Sequence, residues 1–79
     1  MPQGIWRGTV HLVKANGAAI KAIREARGLS LRHLANLAET DPSHLCRIES
    51  GERGASSMKL SQLAAALDVP RDAITREQT

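Results

Sequence analysis

The segment DPSHLCRIESGERG, residues 41–54, carries side chains that could bond to another molecule along one side of a short helix. At about 100° per residue, Leu45 and Ile48 point to one side of that helix and small or hydrogen-bonding residues point to the other. The outward set, with Pro42 at its edge, is Ser43, Cys46, Arg47 and Ser50. An arginine can bond a guanine edge bidentately, a serine can bond several bases, and short neighbours let a helix sit deep in a groove. Taken alone, the pattern is equally typical of an ordinary solvated helix face.

Helix-capping residues divide the rest of the chain into elements. Asp41 and Pro42 begin the helix just described, which ends at residue 50 before Gly51. The same signals predict four more helices: residues 17–27 after Asn16, residues 31–39 after Ser30, a helix from Ser56 or Ser57 to residue 67, and a short one over 69–74. We therefore expect an all-α fold, a bundle of five helices with an extended N-terminal segment.

The core must be built from aliphatic side chains, because the chain has no Phe or Tyr and Trp6 is its only aromatic residue. Apolar residues recur at helical spacing in two of the predicted helices. They are Leu31, Leu34, Ala35 and Ala38 in one, and Leu60, Leu63, Ala64 and Leu67 in the other. Small side chains let helices approach closely, which favours a helical bundle. The 79 residues suffice for one small domain, which hides about 60% of the surface of the unfolded chain.

Both ends of the chain fall outside the predicted helices. The run TVHLV, residues 9–13, is rich in β-branched residues and is predicted to be extended. Because a lone strand leaves its backbone groups unpaired, this run must pair with another copy, lie against the helices or stay mobile. At the other end, TREQT, residues 75–79, is expected to fray. We therefore divide the chain into an extended N-terminal arm or strand over residues 1–15 and a helical domain over residues 16–76.

Charge and composition narrow the classes of function. Residues 1–32 carry six basic side chains against one acidic, whereas residues 33–79 carry five against seven, so one end favours polyanionic partners, with a solvated surface as the alternative. The single cysteine, Cys46, cannot form an internal disulfide, and no spacing implies a metal or cofactor. The residues present do not suggest a catalytic nucleophile, base and orienting group. The longest apolar run, LAAAL at 63–67, is too short for a membrane or secretory segment, so we expect a cytoplasmic protein with no membrane partner.

The helices predicted over 31–39 and 42–50 are joined by so few residues that they must cross at a steep angle, as in a helix-turn-helix. Residues 20–74, with the combined pattern LSxxxLAxxAxxxxSxLxRIExG over 29–51, resemble the phage repressor and Cro family of helix-turn-helix proteins. This lambda-repressor-like resemblance implies five helices, binding to operator DNA as a two-fold dimer, and a third helix placed in the major groove.

The resemblance also implies roles for particular residues. The family's base-reading positions fall on Pro42, Ser43 and Arg47, with Cys46 close by. Its phosphate-contacting positions fall at the start of the helix over 31–39, on the helix over 42–50 and on backbone N–H groups of the run 53–58. They are Leu31, Arg32, His44, Arg53, Ser57 and Met58. Arg24 and Glu49 fall at positions that form a structural ion pair in relatives.

Three residues depart from the family's pattern. Leu31 stands where relatives carry Gln and cannot bond a phosphate through an amide, so Arg32 or an N-terminal group would have to substitute. Pro42 offers a base only van der Waals contact, for example with a thymine methyl, so specificity should depend on Ser43 and Arg47. Glu39 stands at the turn where relatives have Gly, and a left-handed conformation there would cost about 1 kcal/mol.

We therefore predict a sequence-specific transcriptional regulator that binds double-stranded DNA. We expect it to be a homodimeric repressor in the cytosol and on the nucleoid of a bacterium, without an enzymatic step. The alternative is a protein-interaction module, such as an antitoxin or adaptor, that uses the same fold to hold a protein partner. Arg7, beside Trp6, also has two interpretations: it belongs to an arm that reaches the minor groove, or to an anchor that packs Trp6 over the bundle and covers Leu31.

Overall fold

A computed structural model describes residues 13–77, which form four α-helices, a 3-10 helix and a two-stranded sheet. In chain order the elements are β1 (Val13–Ala15), α1 (Gly17–Ala26), α2 (Leu31–Leu37), α3 (Pro42–Ser50), α4 (Ser57–Leu67), the 3-10 helix (Arg71–Ile74) and β2 (Thr75–Glu77). The predicted fifth helix is therefore a four-residue 3-10 turn, and the all-α prediction omitted a small sheet. None of the helices described is long and apolar enough to cross a membrane.

Side-chain caps fix where the four α-helices begin. Asn16, Ser30 and Ser56 each accept a hydrogen bond from the backbone N–H three residues later, at 3.0 to 3.1 Å. Asp41 accepts a longer bond of 3.4 Å from the N–H of Ser43. Each bond satisfies one of the donors that the first turn of a helix leaves unpaired. Of the two caps predicted for α4, Ser56 is the one used.

The turn between α2 and α3 ends α2 earlier than the sequence predicts. Glu39 has a φ of 56°, in the left-handed region, so α2 stops at Leu37 instead of continuing to residue 39. The N–H of Thr40 donates to the carbonyl oxygen of Ala35 at 2.8 Å, which closes the turn. From α4, the ammonium of Lys59 donates to the carbonyl oxygens of Ala38 and Glu39 at 2.9 and 3.0 Å. This cation offsets the strain of a non-glycine residue at the turn by bonding carbonyls that the helix end leaves unpaired.

The core is the set of apolar side chains that the helical periodicity selects. Each of its members is at most 5% exposed. They are Ile20, Leu34, Ala35, Ala38, Leu45, Ile48, Leu60, Leu63, Ala64, Leu67 and Ile74. Leu31 and Ile23 pack at its edge and are half-buried. The stripes predicted for the helices at 31–39 and 57–67 are thus confirmed, with Leu31 only partly covered.

The two ends of the described chain pair with each other. β1 and β2 are antiparallel, with Val13 opposite Glu77, Lys14 opposite Arg76 and Ala15 opposite Thr75. The N–H of Asn16 donates to the carbonyl oxygen of Ile74 at 2.9 Å, and the buried Ile74 side chain anchors that bond to the core. The prediction that residues 75–77 fray is therefore wrong, because Ile74 delivers them to a strand partner within the same chain.

The structure describes only part of the N-terminal segment for which the sequence makes predictions. The extended run predicted over residues 9–13 overlaps β1 at residue 13, and residues 9–12 lie outside the described residues. Trp6 and Arg7 also lie outside them, so both interpretations of Arg7 stay as predictions.

Candidate nucleic-acid interface

Helix α3 presents two chemically different sides. Leu45 and Ile48 are fully buried, whereas Ser43, Cys46 and Arg47 are exposed. Pro42 and His44, on the flanks, are half-buried. The side of α3 that carries hydrogen-bonding groups is therefore turned to solvent, in the orientation that the periodicity predicts.

The exposed side of α3 forms one wall of a shallow concavity of about 480 Å³. Its lining combines the start of α2, the exposed side of α3 and the loop that follows α3. The residues are Leu31, Pro42, Ser43, Cys46, Arg47 and Glu52. The four predicted base-reading residues thus line one concavity together with Leu31, which adds an apolar side chain to it. Glu52 was missed, because it follows the helix and no periodicity places it.

The predicted phosphate-contacting residues are spread over the start of α2, the first turn of α3, the loop after α3 and the start of α4. Arg32 is exposed in the first turn of α2, and Arg53, Ser57 and Met58 are exposed around the start of α4. The backbone of the loop is not uniformly free, because the N–H of Arg53 donates to the carbonyl oxygen of Arg47 at 3.2 Å. Arg53 can therefore offer a phosphate its side chain but not its amide. This corrects the expectation that every amide over 53–58 is available.

Arg71 adds a cation that sequence reasoning missed. Its guanidinium donates to the hydroxyl oxygen of Ser57 at 2.8 Å and more weakly to that of Ser61 at 3.5 Å. Ser57 lies fourteen residues earlier in the chain, so no local pattern relates the two residues. The start of α4 therefore has a guanidinium beside it. Within α4 itself, the first basic residue is Lys59, the third residue of the helix.

An ion pair fixes α3 to α1. The Nε and Nη2 atoms of Arg24 donate to the two carboxylate oxygens of Glu49 at 2.8 and 3.1 Å. The third donor, Nη1, bonds the carbonyl oxygen of Leu29 at 2.9 Å, in the turn that leads to α2. The side chains of Arg24 and Glu49 are only 11% and 6% exposed. The hydrogen bonds to Glu49 raise the pKa of Arg24 above its ordinary value, against the opposing effect of burial. One guanidinium thus ties together α1, the turn before α2, and α3.

The chain is similar to a known protein family and to several solved structures. Residues 17–76 match a family model described as a helix-turn-helix domain. The restriction-modification controller protein C.AhdI from Aeromonas hydrophila is 35% identical, with a TM-score of 0.71 over 72% of this chain and 86% of that one. The DNA complex of SinR, the master regulator for biofilm formation in Bacillus subtilis, is also 35% identical, with a TM-score of 0.68 over 71% of this chain and 90% of that one.

A third solved structure, the clp gene regulator ClgR from Corynebacterium glutamicum, is 33% identical, with a TM-score of 0.68 over 72% of this chain and 75% of that one. No curated protein matches the chain. The family match covers the helices that position the concavity, and the similar structures are regulators with the same helical arrangement. The chain therefore belongs to the helix-turn-helix domain family, in the group of phage repressor and Cro-like regulators.

Proposed function

We propose that this protein is a sequence-specific regulator of transcription that inserts α3 into the major groove of double-stranded DNA. The observation that carries the proposal is the orientation of α3, with Arg47, Ser43 and Cys46 exposed directly opposite the buried Leu45 and Ile48. Support comes from SinR, a similar protein of known structure in complex with DNA. We further propose that it acts as a homodimeric repressor, by occupying its site, in the bacterial cytosol on the nucleoid.

Each group in the concavity has a distinct role in this proposal. Arg47 bonds the O6 and N7 atoms of a guanine, and the Ser43 hydroxyl bonds a neighbouring base edge. Leu31, Pro42 and Cys46 line the same concavity without a strong donor, so they form an apolar contact for a thymine methyl. The reading face therefore combines one charged contact with one apolar contact.

Contacts to the DNA backbone hold α3 in this position. Arg32 lies in the first turn of α2 and His44 in the first turn of α3, while Arg53 precedes α4 and Ser57 and Met58 begin it, with Arg71 beside Ser57. Such contacts fix the register of the protein on the duplex without selecting bases. Leu31 does not belong with them, because it has no hydrogen-bonding group and faces the concavity.

Selection of bound duplexes from a random pool at physiological salt tests the proposal as a whole. We expect a two-fold symmetric site whose half-sites are centred about 34 Å apart, one turn of the double helix. A salt titration on random duplex adds a second test, because each neutralised phosphate contributes about −0.9 to the slope of log K against log salt. A pool that shows no enrichment, together with a flat salt response, would favour the adaptor alternative instead.

Arg47→Ala should reduce discrimination at one base pair in each half-site. A bidentate contact to guanine is worth about 1 to 3 kcal/mol, so affinity for the selected site should fall by roughly 5-fold to 150-fold per half-site. The measurement is a binding titration of wild type and variant on the selected site and on random duplex. Arg32→Ala is the control, and it should weaken binding to both duplexes alike. Equal losses on both duplexes for Arg47→Ala would contradict the reading role.

The apolar contact can be tested by changing the DNA and leaving the protein intact. Replacing the thymine at the contacted position by deoxyuracil removes one methyl, worth about 0.8 kcal/mol when buried, so affinity should fall about fourfold. The same replacement outside the half-site is the control and should have no effect. Pro42→Ala should make the protein less sensitive to the methyl. If no thymine in the selected site responds to removal of its methyl, the apolar contact is refuted while DNA binding stands.

A further inference from the structure

The sheet places two positive charges in direct opposition. Lys14 of β1 and Arg76 of β2 are register partners, and both are exposed. Like charges directly opposite each other destabilise a strand pair. A two-stranded ribbon is in any case only marginally stable, and each of these strands has three residues. The pair therefore weakens the sheet that contains it, which points to a role outside the sheet.

The two cations lie beside the end of α3. Lys14 and Arg76 line one concavity of about 310 Å³ with Glu49, Ser50 and Gly51 of that helix end. Lys14 also lines a second concavity of about 270 Å³, together with Glu52, Arg53 and Gly54 of the following loop. A surface of three cations, Lys14, Arg53 and Arg76, thus extends from the loop onto the ribbon; we call it the ribbon patch.

The carboxylates near the ribbon patch leave its charge largely in place. Both oxygens of Glu49 accept hydrogen bonds from Arg24, so this carboxylate is already neutralised. Glu52 is exposed and lines both the second concavity beside Lys14 and the concavity of the reading face, so it offsets at most one of the three positive charges. Among residues 14–76, whose side chains the structure describes, the ion pairs involve Arg24, and none includes a cation of the ribbon patch. The patch can therefore still attract a polyanion.

We propose that the ribbon patch binds backbone phosphates of the duplex just beyond the half-site that α3 reads, on the side of the C-terminal end of α3. This inference rests on the proposed function. It adds two residues, one from each strand of the ribbon, to the phosphate contacts proposed for the loop after α3. Lys14 supplies a mobile point charge and Arg76 a planar fork, and both suit phosphate oxygens. Neither residue reads a base, so the patch adds affinity and salt sensitivity without sequence preference.

The test compares wild type with Lys14→Gln, Arg76→Gln and the double variant by salt titration on the selected site. Loss of two phosphate contacts per half-site should make the slope of log K against log salt shallower by about 1.8 for each half-site, or about 3.6 for a dimer on both. A fourfold rise in salt would then weaken wild type about 12-fold more than the double variant for each half-site bound. Base preference, measured on single-position site variants, should not change.

Arg27→Gln is the matched control, because Arg27 is exposed and donates to the carbonyl oxygen of Asp68 at 3.5 Å, at the opposite end of α4 from the proposed DNA contacts. It removes one positive charge and should leave the slope nearly unchanged. Thermal unfolding of each variant checks the fold, and the double variant should be at least as stable as wild type because the opposed charges are gone.

Duplexes shortened one base pair at a time locate the contact. Removing the flanking phosphates should lower the affinity of wild type to that of the double variant and leave the double variant unaffected. An unchanged slope in a folded double variant, or an equal change in Arg27→Gln, would overturn the inference while leaving the role of α3 intact. Failure of wild type to bind any duplex would overturn the proposed function together with it.

Discussion

Arg24→Met should lower the free energy of unfolding by about 3 to 5 kcal/mol. The substitution leaves the carboxylate of Glu49 only 6% exposed and without the guanidinium that bonds both of its oxygens. It also leaves the carbonyl oxygen of Leu29 without its donor. A small domain has about 5 to 15 kcal/mol of total stability, so this loss should be visible as a large decrease in the urea midpoint or as unfolding in buffer.

Three variants separate the ion pair from a general effect of substitution. Arg24→Met/Glu49→Met should be more stable than Arg24→Met alone, because it leaves no buried charge unpaired. Arg24→Lys should fall between wild type and Arg24→Met, since it keeps the charge but not the fork. Arg27→Met, at the exposed C-cap residue of α1, should change stability by no more than about 0.5 kcal/mol. If the single and double methionine variants were equally unstable, the ion pair would not be the cause.

The pH dependence of this contribution follows from the direction of the pKa shift. The hydrogen bonds to Glu49 raise the pKa of Arg24 in the folded protein. A group with a raised pKa stabilises the fold fully below its unfolded value and loses that contribution only as pH rises through the folded value. The contribution of Arg24 therefore remains constant throughout the neutral range and would decline only in strong alkali.

Gly17→Ala should destabilise the protein by about 3 kcal/mol, at the upper end of what overpacking usually costs. Gly17 is buried where the start of α1 crosses the end of α3. A β-carbon there would meet the carbonyl oxygen of Ile48 and lie 2.5 Å from that of Glu49, so the two helices would have to move apart. Alanine would otherwise favour the helix by about 0.5 to 1 kcal/mol, so the expected sign is opposite to that of helix propensity.

Thermal or urea unfolding of Gly17→Ala and Gly54→Ala measures this effect against a matched control. A β-carbon on Gly54 meets no atom within 4 Å, so that variant should differ from wild type by no more than about 0.5 kcal/mol. An unfolding midpoint for Gly17→Ala equal to or above that of wild type would refute the close approach of α1 and α3.

Both substitutions act on the same joint between helices. Arg24 and Gly17 each fix α1 against α3, one by an ion pair with Glu49 and the other by allowing the backbones to touch. Since the exposed side of α3 carries the proposed base contacts, a shift at this joint changes the direction of Arg47. Variants that remain folded should therefore lose affinity for the selected site more than for random duplex.

Local features of the fold could be predicted from the sequence, because they depend on residues close together in the chain. The helix caps act over two or three residues, so Asn16, Ser30 and Asp41 could be assigned directly. The buried stripes and the exposed side of α3 follow from the rotation of about 100° per residue, which is a property of any helix. Glu39 could be assigned to the turn because it stands where members of the Cro family have a glycine at the turn.

Contacts between distant parts of the chain were decided by the tertiary structure alone. Ile74 enters the core and delivers residues 75–77 to β1, about sixty residues earlier. Lys59 caps α2 from α4, and Arg71 reaches Ser57, without any periodicity that relates the partners. The opposition of Lys14 and Arg76 arises in the same way. The sequence by itself determined which side of each helix is apolar and where each helix begins, because these properties are local. Packing determined which ends meet and which charges share a surface, because those contacts exist only once the apolar sides are buried together.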